Sequence, residues 1–303
     1  MSLLDQLNAF AQVAELGSFT QAADRLGWPK GKVSTTIQAL ENHLGTRLLH
    51  RTTRKVQLTQ DGLAFQDRCR DLLADVDELQ TLFQRSAPEL RGRVRVDMST
   101  GAARHMVIPH LPELLQRHPK LEIEISSTDR RVDLVREGFD CVLRVGAVVD
   151  SGLIARPLGR FKMINCASPG YLARHGTPQS PDELATHLLV HYVPVLGARP
   201  DGFDIAHPDG SVRTVAMAGQ VTVNNAEAYQ AACLAGLGLI QAPQHGVQAL
   251  IADGALVEVL PEHRAPSMPV HLLYANRRHQ PQRVRAVMDW LAEVMAPHLE
   301  PWA

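Results

Sequence analysis

Over the first 60 residues apolar positions recur at helical spacing, and the pattern breaks at Gly17, at Gly27-Trp28-Pro29 and at Gly45. Leu4, Leu7, Phe10, Ala11 and Ala14 share one face of a helix predicted over residues 2–16. Ser18, followed three residues later by Gln21, has the form of a capping box and predicts a short second helix from Phe19. Its small residues Ala22 and Ala23 let a neighbouring helix approach closely. A third helix is predicted from Lys30 to Leu44, where Val33, Ile37, Leu40 and Leu44 follow at intervals of 4, 3 and 4. Alternation at Val56 and Leu58 then predicts a β-hairpin over residues 47–59.

Residues 61–85 hold no Gly or Pro beyond Gly62 and predict one long helix. Phe65, Cys69, Leu72, Val76, Leu79 and Phe83 follow at intervals of 4, 3, 4, 3 and 4, the form of a heptad seam, which Leu73 and Leu82 widen. Such a seam next to a small domain predicts dimerisation through these residues; the alternative is packing on the chain's own domain.

Beyond a boundary at residues 87–92 the texture changes, and short β-type runs alternate with helical ones. Strands are predicted at 93–98, 121–126, 140–145, on both sides of Gly159 within 153–166, and at 188–192, 221–223, 237–241, 256–259 and 270–274, with a hairpin over 203–215. Helices are predicted at 102–118 (kinked near Pro109 and Pro112), 132–137, 169–175, from 181, and at 226–235, 243–251 and 281–295. Strand–helix alternation of this kind argues for a largely parallel sheet.

Charge sharpens the picture at one place. Gly31, Thr35, Gln38 and Asn42 lie opposite the apolar face of the third helix, with Ser34 on the flank and Lys30 and Lys32 at its start. From Lys30 to Lys55 six Lys/Arg stand against Glu41 alone, a local charge of +5 in a chain of formal charge -1. That excess suits a polyanion. Short polar side chains can meet base edges, and cations can meet phosphates. A solvated helix in a bundle has the same two faces; the basic hairpin that follows favours DNA. The candidate contacts are Lys30, Gly31, Lys32, Ser34, Thr35 and Gln38 in a major groove. Arg51, Arg54 and Lys55 are candidates for phosphates or the adjacent minor groove.

These spacings resemble the winged helix-turn-helix of LysR-type transcriptional regulators. The likeness rests on Phe10, Gly17-Ser18-Phe19, Ala22-Ala23, Leu26, Val33-Ser34, Ile37, Leu40-Glu41, Leu44-Gly45, Arg47-Leu48-Leu49, Arg51, Leu58-Thr59 and Gly62. It extends through the phrases at 129–140 and 167–176 to nearly the whole chain. One stretch departs: where the family opens its recognition helix with Ser-Gln-Pro/Ser-Ala, this chain has Pro29-Lys30-Gly31-Lys32, which lacks the N-cap hydroxyl. Thr35-Thr36 replace the usual Arg/Lys-Gln.

The resemblance implies a multidomain α+β/α/β fold. A winged helix-turn-helix (1–60) and a linker helix (61–87) precede a two-lobed α/β effector domain (91–303) similar to type II periplasmic binding proteins. Lobe I takes 91–163 and 265–303, and lobe II takes 164–264. The family further implies double-stranded operator DNA with an inverted repeat, a small-molecule effector, a homodimer or homotetramer, and RNA polymerase as a partner of an activator.

Composition is compatible with this. A chain of 303 residues has room for two or three domains, and 45% apolar with 21% charged residues is ordinary for a globular protein. Neither a signal peptide nor a run of 18 apolar residues is visible, so no membrane and a cytoplasmic location are expected. Cys69, Cys141, Cys166 and Cys233 form no C-x-x-C pair and read as buried thiols, with Cys141–Cys166 a possible redox pair. His187 and His191 lack the Glu of a zinc motif. No nucleophile elbow, P-loop or dinucleotide fingerprint is present, so neither an enzyme nor a cofactor is expected. A pure solute-binding protein would not carry the basic winged helix.

An effector should sit beyond the carboxyl ends of strands, against helix N-termini. Ser99 and Thr100 follow the first strand, Thr128 follows the second, and Asn224 and Asn225 precede the helix from Ala226. Arg144, at the end of its strand, adds a positive charge, and together these donors suit a small organic anion. Ser, Thr and Asn are also ordinary caps, and Asp133 and Asp140 offer Arg144 an internal partner.

Overall fold

A computed structural model of the chain describes residues 2–51, 56–81, 90–148, 152–275 and 280–302. It has two compact units, residues 1–93 and 94–303.

In the first unit α1 (Leu3–Leu16), α2 (Phe19–Leu26) and α3 (Lys30–Leu44) enclose Leu7, Phe10, Val13, Ala22, Ala23, Val33, Ile37 and Leu40. The reciprocal capping box lies at α1, where Ser2 and Asp5 bond each other's backbone N–H. Ser18 supplies only the accepting half of the box expected at α2, taking the Gln21 N–H. Pro29 precedes α3 without a side-chain cap. Leu4 and Leu44 lie at the exposed rim of the core. Thr36 is buried instead, its hydroxyl satisfied by the Lys32 carbonyl at 2.6 Å.

β1 (Leu49–Arg51) and β2 (Val56–Leu58) form the antiparallel hairpin, with Leu49 opposite Leu58. Glu41, the lone acid of the basic stretch, accepts the N–H groups of Leu48 and Leu49 at 2.9 and 3.1 Å. Its carboxylate is therefore held at the foot of the hairpin.

α4 (Gln60–Thr81) corrects the seam. Phe65 meets Phe10 edge-to-face at 5.2 Å, and the Cys69 thiol, buried in the helical core, donates to the Leu7 carbonyl at 3.4 Å. Leu73 packs on the same core. Phe65 and Cys69 are thus intramolecular core residues, because α4 leaves the hairpin directly onto α1. Leu72 and Leu79 stay 45% and 67% exposed, and Val76 is half-buried. Phe83, with Leu82, lies outside the described residues. Gly62 stands where α4 crosses the chain before β1; a Cβ there would run into the Leu48 carbonyl.

β3 (Arg91–Met98) leads into the second unit. A helical run follows, from α5 (Thr100–Ala102) through a wide turn at Ala103–Val107 and a tight one at Ile108–His110 to α6 (Leu111–Arg117). Then come β4 (Lys120–Ser127), α7 (Leu134–Glu137), β5 (Cys141–Val145) and β6 (Leu153–Phe161).

The second lobe holds β7 (Met163–Ala167), α8 (Pro169–His175), β8 (His191–Tyr192), β9 (Phe203–Ala206) and β10 (Val212–Val215). It continues with β11 (Thr222–Val223), α9 (Ala226–Leu234), β12 (Ile240–Pro243), α10 (Gln244–Ala252) and β13 (Val257–Glu258). β14 (Met268–Ala275) and α11 (Gln282–Met295) return to the first lobe.

The first lobe is built on a five-stranded sheet in the order β4-β3-β5-β14-β6. β3 and β5 are parallel, but β14 opposes both β5 and β6. It returns from the other lobe and so enters the sheet from the opposite end. The second lobe's three-stranded sheet, β12-β7-β13, is antiparallel, while β8 pairs with β11 in parallel, and parallel bridges join Leu188 to Ala218 and Leu189 to Leu239. The expectation of a largely parallel sheet is corrected to that extent. The break between β6 and β7 falls at Lys162; Gly159 lies within β6, beside a register shift opposite Val270 and His271. All four cysteines are buried free thiols. Cys141 and Cys166 belong to different cores, so they form no redox pair.

Candidate nucleic-acid face and ligand cleft

The outer face of α3 carries Lys30, Gly31, Lys32, Thr35 and Gln38 exposed, with Ser34 half-buried beside them. Helical spacing alone places them there, since the opposite residues fill the core. The Thr35 hydroxyl donates back to the carbonyls of Gly31 and Lys32, at 3.1 and 3.0 Å. What it offers outward is therefore a methyl group and oxygen lone pairs rather than a proton. The Lys32 ammonium lies 4.2 Å from the centre of the Trp28 ring. Arg51 closes β1; its side chain, and Arg54 and Lys55 altogether, lie outside the described residues.

The second unit holds an open cavity of about 350 Å³ between its two lobes. Leu143, Phe161, Met163, Ile240 and Met268 make its walls apolar. Ser99, Thr128 and Arg144 line it. Thr100, Asn224 and Asn225 are not among its lining residues, and two of them have other work. Asn225 caps α9, its Oδ1 accepting the Ala228 N–H at 2.8 Å. The Thr100 N–H donates to Asp129 Oδ1 at 3.1 Å.

Asp129 reaches the far side as well. Its Oδ2 accepts the N–H of Ala226, the first residue of α9, at 2.5 Å. The place assigned by sequence to a ligand anion, between the two helix starts, is thus filled by the chain's own carboxylate. Tyr192 also bonds to Asp129; burial, then this negative neighbour, push its phenol up to about 12. Arg104 pairs with Glu227 of α9 at 2.6 Å, a second tie between the lobes.

Arg144 meets neither of the carboxylates suggested for it. Asp133 caps α7, Asp140 accepts the Arg95 N–H, and Arg144 itself donates to the Arg130 carbonyl at 3.2 Å. Burial, then the neighbouring Arg131 guanidinium, lower its pKa, against the pull of Asp97, Tyr192 and Asp129. A half-buried guanidinium whose charge is disfavoured gains from an arriving anion. Asp97, buried at the cavity floor, accepts from the Thr128 hydroxyl at 3.2 Å, and burial raises its carboxyl.

Sequence reasoning missed Asp97, Asp129, Tyr192, Tyr229 and His245 on the cavity wall. Asp129 was within reach, since it follows Thr128 at the same strand end. Tyr192 likewise ends a predicted strand. Tyr229 and His245 gave no signal beyond their helices. Among the described residues no group of three or more His, Cys, Asp or Glu side chains is placed to hold a metal. His187 instead meets the Tyr171 hydroxyl at 3.2 Å.

Residues 4–63 match the family model for the bacterial regulatory helix-turn-helix protein of the lysR family, and residues 87–296 match the LysR substrate binding domain. The chain is 47% identical over 300 residues to the HTH-type transcriptional regulator YhjC of Escherichia coli K12, covering 99% of this chain and 100% of that one. It is 36% identical to an HTH-type transcriptional repressor of Pseudomonas aeruginosa, over 99% and 94% of the two chains. Among solved structures, the regulator CrgA of Neisseria meningitidis is similar with a TM-score of 0.60 at 30% identity, covering 95% and 97% of the chains. Full-length AphB of Vibrio cholerae gives 0.57 at 30% identity, over 99% and 100%.

Proposed function

The chain belongs to the LysR family of transcriptional regulators, and from that premise we propose how its residues divide the work. It is an effector-controlled DNA-binding regulator and not an enzyme. In our reading residues 1–60 bind operator DNA, 61–87 pair two copies, and 91–303 take the effector. Lys30, Gly31, Lys32, Ser34, Thr35 and Gln38 enter a major groove, and Arg51, Arg54 and Lys55 meet phosphates or the adjacent minor groove. The carrying observation is the outer face of α3, polar and cationic, exposed along its length.

The effector is a small organic anion with an apolar body. Arg144 takes its acid group, Ser99 and Thr128 add hydroxyls, and the apolar walls hold the rest. The protein works in the cytoplasm as a homodimer or homotetramer, with RNA polymerase a further partner where it activates. No helix among the described residues is long and apolar enough to cross a membrane.

Two measurements test this reading. A Lys32→Ala, Thr35→Ala, Arg54→Ala variant is expected to lose operator binding; unchanged affinity removes the DNA assignment. A panel of aromatic and aliphatic carboxylates is then screened by thermal shift. A compound that stabilises the native chain but not Arg144→Gln supports the anion site. One that stabilises both equally excludes Arg144.

A further inference from the structure

The start of α3 is where this chain departs from the family pattern, and there a residue outside the DNA-reading set makes a specific contact. Trp28 is half-buried against the helical core, and its backbone N–H donates to the Ala23 carbonyl at 2.9 Å. Over its ring lies the ammonium of Lys32, 4.2 Å from the centroid. Pro29 gives α3 no side-chain cap, and Gly31, between the two lysines, has open space where a Cβ would stand. This end of the helix can therefore come close to a phosphate backbone.

A free lysine samples many rotamers and loses that freedom on binding. A ring face holds the ammonium by its quadrupole, and an ammonium carries three N–H donors. One side can rest on the ring while the others point outward. Asp5, the acid whose carboxyl senses Lys32, is already bonded in the cap of α1.

We propose that Trp28 is a positioning residue of the DNA interface, holding the Lys32 ammonium ready for a backbone phosphate. The proposal rests on the reading that Lys32 touches DNA. It gives Trp28 no contact of its own with the bases.

The test is a double-mutant cycle on a duplex recovered by the native protein from a randomised pool, with affinity followed against salt. Lys32→Met keeps the stem and removes the charge, and should lower the salt slope by about one counterion. Trp28→Leu should weaken binding roughly two- to fivefold, the range of an exposed cation–π contact. Trp28→Phe should restore most of that loss. In the Lys32→Met background, Trp28→Leu should have no further effect. An equal loss in both backgrounds makes Trp28 merely structural and overturns the proposal, as does tighter binding by Trp28→Leu. If Lys32→Met alone leaves affinity and slope unchanged, the reading of Lys32 fails first and the positioning role with it. Lys32→Met leaves the ring packing intact, so this arm stands even if the Trp28→Leu variant folds poorly.

Discussion

Asp129 in one lobe accepts the backbone N–H of Ala226 in the other at 2.5 Å, and its second oxygen takes the N–H of Thr100. A single carboxylate therefore ties the starts of two helices on opposite sides of the cleft. Asp129→Ala should release both amides. Their hydrogen exchange should quicken by about tenfold or more, the loss of a charge-assisted bond of about 1.5 kcal/mol. Asp133→Ala, which removes only the cap of α7, should leave both amides as they were. Unaltered exchange in Asp129→Ala means that the tie does not hold in solution.

At the DNA face, the hydroxyl proton of Thr35 is spent within α3. Thr35→Val should therefore disturb discrimination at one base pair without changing the salt dependence. Gln38→Ala should relax preference at its own position by about 1–3 kcal/mol. Arg54→Ala should instead weaken all sequences alike and flatten the salt slope by about one counterion. Selection from a randomised duplex pool, repeated at two salt concentrations, separates these outcomes. A preference unaltered in both α3 variants removes the helix from base reading.

The division of α4 gives opposite expectations for two sets of substitutions. Leu72→Asp with Leu79→Asp alters exposed positions, so the first unit should keep its melting temperature while sedimentation reports a monomer. Phe65→Ala should lower stability by about 2–3 kcal/mol, below the full value for a buried phenylalanine because the ring is only half-buried. An intact dimer in the double aspartate variant places the dimer interface elsewhere.

The second unit should weaken in acid. His245 lies tilted against Phe161 with ring centres 4.1 Å apart, and burial, followed by its neighbours His298 and His105, pushes its pKa down to about 3. The same imidazole in an unfolded chain titrates near 6.5. Between those values the unfolded chain binds a proton that the folded chain refuses. Stability is then full above pH 6.5 and falls as pH drops towards 3, by at most about 1.4 kcal/mol per pH unit from this group. His187, His271 and His298, also lowered by burial, act in the same direction. Urea melts from pH 7 to pH 4 should show a shallower decline for His245→Phe. Identical slopes rule out a buried neutral ring.

Local signals placed most elements within a residue or two. The bounds of α3, Lys30 and Leu44, follow from Pro29 on one side and Gly45 on the other, both local devices. Failures arose where distant chain decides. The spacing of Phe65 and Cys69 fits a seam between two chains as well as contact with α1; only the path out of the hairpin distinguishes them. The direction of β14 depends on its arriving from the other lobe. In the cleft, Ser99, Thr128 and Arg144 could be found because strand ends in α/β folds gather ligand contacts. Asp129 follows Thr128 at the same strand end, but its reach across the cleft to Ala226 was not legible, since an acid after a strand looks the same whether or not a second lobe lies opposite it.

Gly62 has a consequence for the scale of motion in the first unit. It lets α4 cross the Leu48 carbonyl at van der Waals contact, so it fixes the angle at which that helix leaves the hairpin. With 22 residues, α4 is about 33 Å long. A tilt of about 10° at its foot would carry its far end about 6 Å sideways, more than one helical turn of rise. The smallest side chain in the protein is thus the fulcrum of its longest described lever.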